Sequence, residues 1–455
     1  MTMWGPIESI IQPVSYIVVN LISSVILEKV ATHVKGPFID EIFHLRQCET
    51  YCRYEFGVWD SKITTPPGLY LLGFGFAKLL SVFSDPIETV CENHNILRLV
   101  NLIGGELVLP IVLLSLPSYK GQFWVTSLIS MPLLFPYYFL FYTDPWSLVL
   151  TIACLSASLR SSTIVGGLLG FASLWFRQTN IIWIAFVASV YIDKKVNPNK
   201  NVLIYAKDYV LACFQHVGSL APFVLNFVLF GIFLKVNGGI TFGDKENHQI
   251  QLHLVQVFYC FVFISIFTWP SWLSVENLKR YVNFVLGRNL KRCMIHIPVS
   301  IVCCIIIKYI IANFTVVHPF LLADNRHYTF YIWKKILSKQ YTDLLAVPIY
   351  HFATWNIVNS LVQNTKGLSM SPITIVTFLV ATVLTIVPSP LFEPRYYITP
   401  LVVFRLFTGP ERHHQLRNAV EFVYVSAVNS LFFYVFFGYE FTWASEPGEI
   451  QRIIW

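Results

Sequence analysis

Long apolar runs broken by short polar stretches set the reading of this chain. About 20 apolar residues cross a bilayer as a helix. Runs of that kind, some shorter, lie at 10–27, 96–116, 123–142, 145–160, 163–176, 181–192, 208–234, 252–274, 294–317, 341–362, 371–391, 396–407 and 419–438, thirteen candidate spans. A further run at 69–83 reads as an interfacial segment that returns to the same side. No repeat has a clean period. The pattern predicts an all-α polytopic membrane protein with about 12–14 transmembrane helices, built as one domain over residues 1–455. Its first long polar stretch, 28–95, follows the first span.

Composition removes the alternatives. Charged residues are only 13% of the chain, where soluble domains average roughly 25%, so a single soluble globule is excluded. The net charge of +7 is scattered between apolar runs and is not a nucleic-acid footprint. The first apolar stretch lacks a basic leader and a small-residue cleavage site, and reads as a retained helix.

Charge also assigns sides. With the N-terminus in the cytosol, the loops on that side carry fifteen Lys or Arg, against nine in the short loops opposite. Lys29 and Lys35, just after the first helix, run against the assignment. The unusual polar clusters then share the other face: Asp40-Glu41, Asp144, Arg177-Gln178-Thr179-Asn180, Asp324-Asn325-Arg326-His327-Tyr328 and Glu393-Pro394-Arg395-Tyr396-Tyr397. By contrast, the first side carries ordinary anchors such as Lys194-Lys195 and the pair His413-His414 in a basic loop.

Carboxylates, arginines, histidines and aromatic residues on one membrane face suit an active site. Asp40 and Glu41 are the acid–base candidates, since a carboxylate can deprotonate a sugar hydroxyl as it attacks an anomeric carbon. Neighbours on a helix point about 100° apart, so one of the two would face the reaction. Their structural alternative is a loop-end or N-cap pair. Arg177, Arg326 and Arg395 carry the fork that matches a phosphate, and each alone serves equally well as a snorkelling anchor. His44 and His327 could donate to sugar or phosphate, and neither has a partner at metal spacing. Trp59, Tyr328, Tyr331 and Trp333 could stack on a sugar or form an interfacial belt. Cys48 and Cys52 fall on one helical face and could close a disulfide, although two free thiols is the preferred reading. Glu106 and Lys308 inside spans read as paired or snorkelling charges.

These residues also carry a resemblance. The segment Asp40-Glu41-Ile42-Phe43-His44, then Trp59-Asp60 and Lys62-Ile63-Thr64-Thr65-Pro66-Pro67-Gly68-Leu69-Tyr70, is similar to the endoplasmic-reticulum dolichyl-phosphate-glucose α-1,2-glucosyltransferase family. So are Phe176–Trp183, Leu322–Phe330, Glu393–Tyr397 and the ending Ile450–Trp455, in the same order. The resemblance spans essentially the whole chain. Leu45-Arg46-Gln47 departs from the family pattern, where a Pro-Gln pair is more usual, and bears on acceptor contacts.

The resemblance implies a GT-C type glycosyltransferase fold in the endoplasmic-reticulum membrane, with 28–95 as first lumenal loop and a lumenal active site. It implies a dolichyl-phosphate-glucose donor, a diglucosylated dolichyl-diphosphate-linked oligosaccharide acceptor, membrane lipids as surroundings, and neither metal nor cofactor. The new α-1,2 bond, made from a β-linked donor, implies inversion by a single displacement. Asp40 is the expected base, with Glu41 next. Arg395, Arg326, Arg177 and His327 are expected at the donor phosphate, and His44, Trp59, Tyr328, Glu393 and Tyr396 at the substrates. Another dolichyl-phosphate-sugar transferase, a transporter and a channel regulator are the rival readings. A transporter would need polar clusters reachable from both faces.

Overall fold

The computed structural model describes residues 5–117, 123–197, 201–363, 368, 370–409 and 415–455, so His413-His414 lies outside the described residues. Helices dominate, and the chain is an all-α polytopic membrane protein. Five described helices are long and apolar enough to cross a bilayer: Ile10–His33, His94–Ser115, Val217–Asn237, Leu290–Asn313 and Leu416–Gly438. Among the described residues, six shorter apolar helices accompany them. On Val217–Asn237 and Leu290–Asn313 the apolar side chains point outward, as in Val224, Leu225, Ile301 and Ile305. Lipid is the solvent such a surface fits.

The contacts divide the chain into two compact units, Met1–His248 with Met370–Ala381, and Gln249–Ser369 with Thr382–Trp455. In the first, the stretch 28–95, expected as a loop with an interfacial segment at 69–83, folds into helices Glu41–Cys52, Gly68–Ser81 and Ile87–Glu92. Leu45, Leu69, Tyr70, Leu97 and Phe141 form their shared core.

One expected span is not a helix. Within 123–142 only Trp124–Ile129 is α-helical, followed by irregular chain and a 3-10 turn at Phe135–Phe139. Pro132 and Pro136 stop the helix, because proline lacks the N–H that helical bonding needs. The segment is apolar because it is buried in protein, where irregular backbone is tolerated if its polar groups are satisfied. Asn101 does part of that, donating to the carbonyls of Leu140 and Tyr142 at 2.7 Å each. Tyr138 packs where a Cβ on Gly105 would lie, 2.2 Å from its ring, so only glycine fits there. A second expected span, 208–234, is divided at His216 between helices Val202–Gln215 and Val217–Asn237.

In the second unit, helix Gln256–Phe267 packs on Thr342–Gln363. From the neighbouring helix Val275–Leu286, Asn277 donates to Asn356 at 3.2 Å and accepts from Asn359 at 2.8 Å, a polar seam with Thr342–Gln363. Strands Phe441–Trp443 and Glu446–Gln451 pair antiparallel, with Phe441 opposite Gln451. The chain then returns to bridge Ile454 with His327 in parallel.

Candidate active site

Asp40 stands at the end of a strained turn. Ile39 has φ 53°, the left-handed region that a β-branched residue rarely enters. Such a conformation costs on the order of 1–3 kcal/mol and persists only when its surroundings over-determine it. Here the Tyr142 hydroxyl accepts from Asp40 N at 3.2 Å and donates to Phe38 O at 3.3 Å. Asp40 occupies the N-cap position of helix Glu41–Cys52, yet its side chain makes no capping hydrogen bond. Its residue is half-buried.

Glu41 is built differently. It is 0% exposed and faces Arg98, also 0% exposed, in a two-pronged ion pair of 3.0 Å and 2.7 Å. Each carboxylate oxygen takes one further donor: Phe38 N reaches Oε2 at 3.0 Å and Phe141 N reaches Oε1 at 2.7 Å. Arg98 in turn donates to the carbonyls of Val34 and Gly36 at 2.7 Å and 2.9 Å, and to Asn95 Oδ1 at 3.3 Å. All five guanidinium N–H groups are thus spent. Taking two charges from water costs several kcal/mol each, and such full satisfaction is what offsets it.

His44 and Trp59 meet at Tyr70. His44 Nδ1 hydrogen-bonds the Tyr70 hydroxyl at 2.7 Å, and the Trp59 ring lies edge-on to Tyr70 at 5.7 Å. Tyr142 packs edge-on to His44 at 5.7 Å, which joins this cluster to the Asp40 turn. The Thr64-Thr65-Pro66-Pro67-Gly68 turn sets Tyr70 in place. Gly68 N donates to Trp175 O at 2.7 Å, and a Cβ at Gly68 would stand 2.4 Å from that oxygen. Gln178 Nε2 donates to Thr64 O at 2.7 Å. The two motifs therefore interlock, more than a hundred residues apart. Beside them Arg177 pairs with buried Asp144 at 2.7 Å.

The cysteines correct an expectation. Cys52 is bonded to Cys91, and Cys48 is the free thiol, buried against Tyr70 O. Burial pushes the Cys48 thiol well up, with a contribution from Glu49, so it stays protonated and unreactive. Among the described residues these three sulfurs are the one grouping compact enough to suggest a metal, and two of them are in the disulfide.

In the second unit Arg326, His327 and Tyr328 are gathered by the C-terminal strand and tail. Arg326 grips Asp324 through Nε and Nη2, at 2.9 Å and 2.7 Å, and lies 4.4 Å over the Trp443 ring. His327 Nδ1 is 3.1 Å from Trp455 O, and Tyr328 N donates to Ile454 O at 2.9 Å. Trp455 covers the Tyr328 ring at 4.7 Å. Burial opposes the charge on Asp324, but the Arg326 hydrogen bond and the nearby His327 outweigh it and hold the carboxyl below its usual range. Arg395 pairs with Glu393 at 2.8 Å, and Tyr396 N donates to Glu393 O at 3.1 Å. Each of the three expected phosphate-binding arginines is therefore oriented by an acidic neighbour.

Arg98 and Tyr142 escaped the sequence reading. A lone guanidinium inside the apolar stretch 96–116 is itself a signal, because a charge there is costly unless partnered. Tyr142 carried none, being one aromatic residue in an aromatic run.

The model of the DIE2/ALG10 family matches residues 34–406, a range that holds every candidate residue named above. The chain belongs to the DIE2/ALG10 family. A relative from Debaryomyces hansenii is 51% identical over 95% of this chain and 96% of its own length. One from Rattus norvegicus is 32% identical over 96% of each, and one from Homo sapiens 31% over the same shares. All three are named Dol-P-Glc:Glc(2)Man(9)GlcNAc(2)-PP-Dol alpha-1,2-glucosyltransferase. No solved structure matches.

Proposed function

We propose that this chain is an inverting glucosyltransferase of GT-C type. It moves glucose from dolichyl β-D-glucosyl phosphate, in α-1,2 linkage, onto a diglucosylated dolichyl-diphosphate oligosaccharide, the last step of N-glycan precursor assembly. The similarity that carries this reading runs over nearly the whole chain to relatives named for that reaction, in fungi and in mammals.

In this reading the acceptor hydroxyl gives its proton to the Asp40 carboxylate. Its oxygen bonds to the anomeric carbon from the face opposite the phosphate. The carbon–oxygen bond to the phosphate breaks, and the electron pair leaves on dolichyl phosphate. One displacement turns a β-linked donor into an α-linked product. The turn at Ile39 supports the assignment, since strain held in place beside a carboxylate is common at functional sites. Arg395, Arg326 and Arg177, with His327, meet the charge developing on the phosphate. Their acidic neighbours leave each guanidinium oriented before substrate arrives. His44, Trp59, Tyr328, Glu393 and Tyr396 contact the sugars.

The site faces the lumen of the endoplasmic reticulum. The Cys52–Cys91 bond supports that side for residues 28–95, because structural disulfides form and persist in oxidising compartments. The test is transfer by the purified, reconstituted chain, given dolichyl-phosphate-glucose and either the diglucosylated or the monoglucosylated acceptor. Transfer to the first alone is expected. Transfer to the second, or from dolichyl-phosphate-mannose, would overturn the assignment.

A further inference from the structure

We propose that Glu41 and Arg98 are positioning residues for the transfer reaction, a buried clamp that holds the Ile39–Asp40 turn in its reactive conformation. The inference rests on the reading of Asp40 as base.

Three observations converge on this turn. Its backbone is strained at Ile39, one residue before Asp40. The groups flanking the strain are each tied down: Phe38 N by Glu41, Phe38 O and Asp40 N by Tyr142. Upstream, Val34 O and Gly36 O are tied by Arg98, which also neutralises Glu41. Glu41 therefore joins four parts of the chain: its own helix start, the strained turn, Arg98 and, through Phe141 N, the segment that carries Tyr142. A carboxylate whose two oxygens already take four hydrogen bonds, with no exposed surface, is poorly suited to accept a substrate proton. It is well suited to hold its neighbour still. Placement within a fraction of an ångström matters here, because displacing a reacting group by about 1 Å can cost roughly 100-fold in rate.

The experiment compares Glu41→Gln, Arg98→Lys, their double variant and Asp40→Asn, each as full-length protein in reconstituted membranes. Folded fraction, kcat, donor KM and the pH profile are measured for each. Arg98→Lys keeps the charge but not the fork, so it remains informative where Glu41→Gln folds poorly. The expected result is a fall in kcat per folded molecule of about 100-fold in each single variant, with donor KM changed less than about 3-fold. The double variant should be far less impaired than the product of the two, since both break one device. The acid limb of the pH profile should persist in Glu41→Gln, because that variant leaves the proposed base, Asp40, in place. Wild-type kcat per folded molecule in both single variants would overturn the inference and leave a purely structural pair. Loss of the acid limb in Glu41→Gln, with mild effects in Arg98→Lys, would overturn it by making Glu41 the base. Failure of the underlying reading is seen separately, as transfer retained in Asp40→Asn.

Discussion

The Tyr142 hydroxyl spans the backbone on both sides of Ile39, accepting from Asp40 N and donating to Phe38 O. It lies over a hundred residues away in sequence, on the irregular segment that Asn101 stabilises. Tyr142→Phe removes both hydrogen bonds and keeps the ring against His44. A hydrogen bond contributes about 1 kcal/mol net, so a loss of about 1–2 kcal/mol in unfolding free energy is expected. Because the lost bonds hold the turn before Asp40, kcat should fall about tenfold, one power of ten per 1.4 kcal/mol. Denaturation and kinetics on the same preparation check both.

The Cys52–Cys91 bond ties the end of helix Glu41–Cys52 to Ile87–Glu92. Its loss through Cys91→Ser should lower stability by about 2–4 kcal/mol, the usual range for a native disulfide. Non-reducing peptide mapping should find Cys52 linked to Cys91 and Cys48 unmodified by maleimide until the protein is unfolded. A Cys48–Cys52 link would contradict the fold in this region.

Asp324 gives a pH signature. Its carboxyl titrates below the ordinary value of about 3.9. The Asp324–Arg326 contact therefore contributes stability that is fully present above pH ~3.9 and is lost as pH falls through the lower, folded value. Asp324→Asn should be less stable than wild type near neutrality, with the gap closing only in strong acid. Thermal unfolding from pH 7 to pH 3 would show it, and a gap that already closes at pH 5 would contradict it.

Much of this was legible in the chain itself. Apolar run length gave the membrane class, and motifs spaced along the whole sequence gave the family. The segment 123–142 was misread because hydropathy reports apolar surroundings of any kind, and protein interior reads as lipid does. Only its prolines signalled otherwise. The acid pair shows the other limit. Asp40 and Glu41 are chemically near-equivalent and adjacent, so nothing local separates a half-buried acidic residue from a fully buried one. The difference is made by Arg98, 57 residues on, and by Phe141, 100 residues on. Cys91 was hidden for the same reason, standing 39 residues from its partner.

The most direct test of the account is glucosyl transfer by Asp40→Asn, set against wild type with dolichyl-phosphate-glucose and the diglucosylated acceptor. The swap keeps shape and removes the basic oxygen. A folded variant that still binds donor but transfers at least about 100-fold more slowly, the lower range for a general base, is the predicted result. Transfer at the wild-type rate would contradict the account, and would move the proton to another residue.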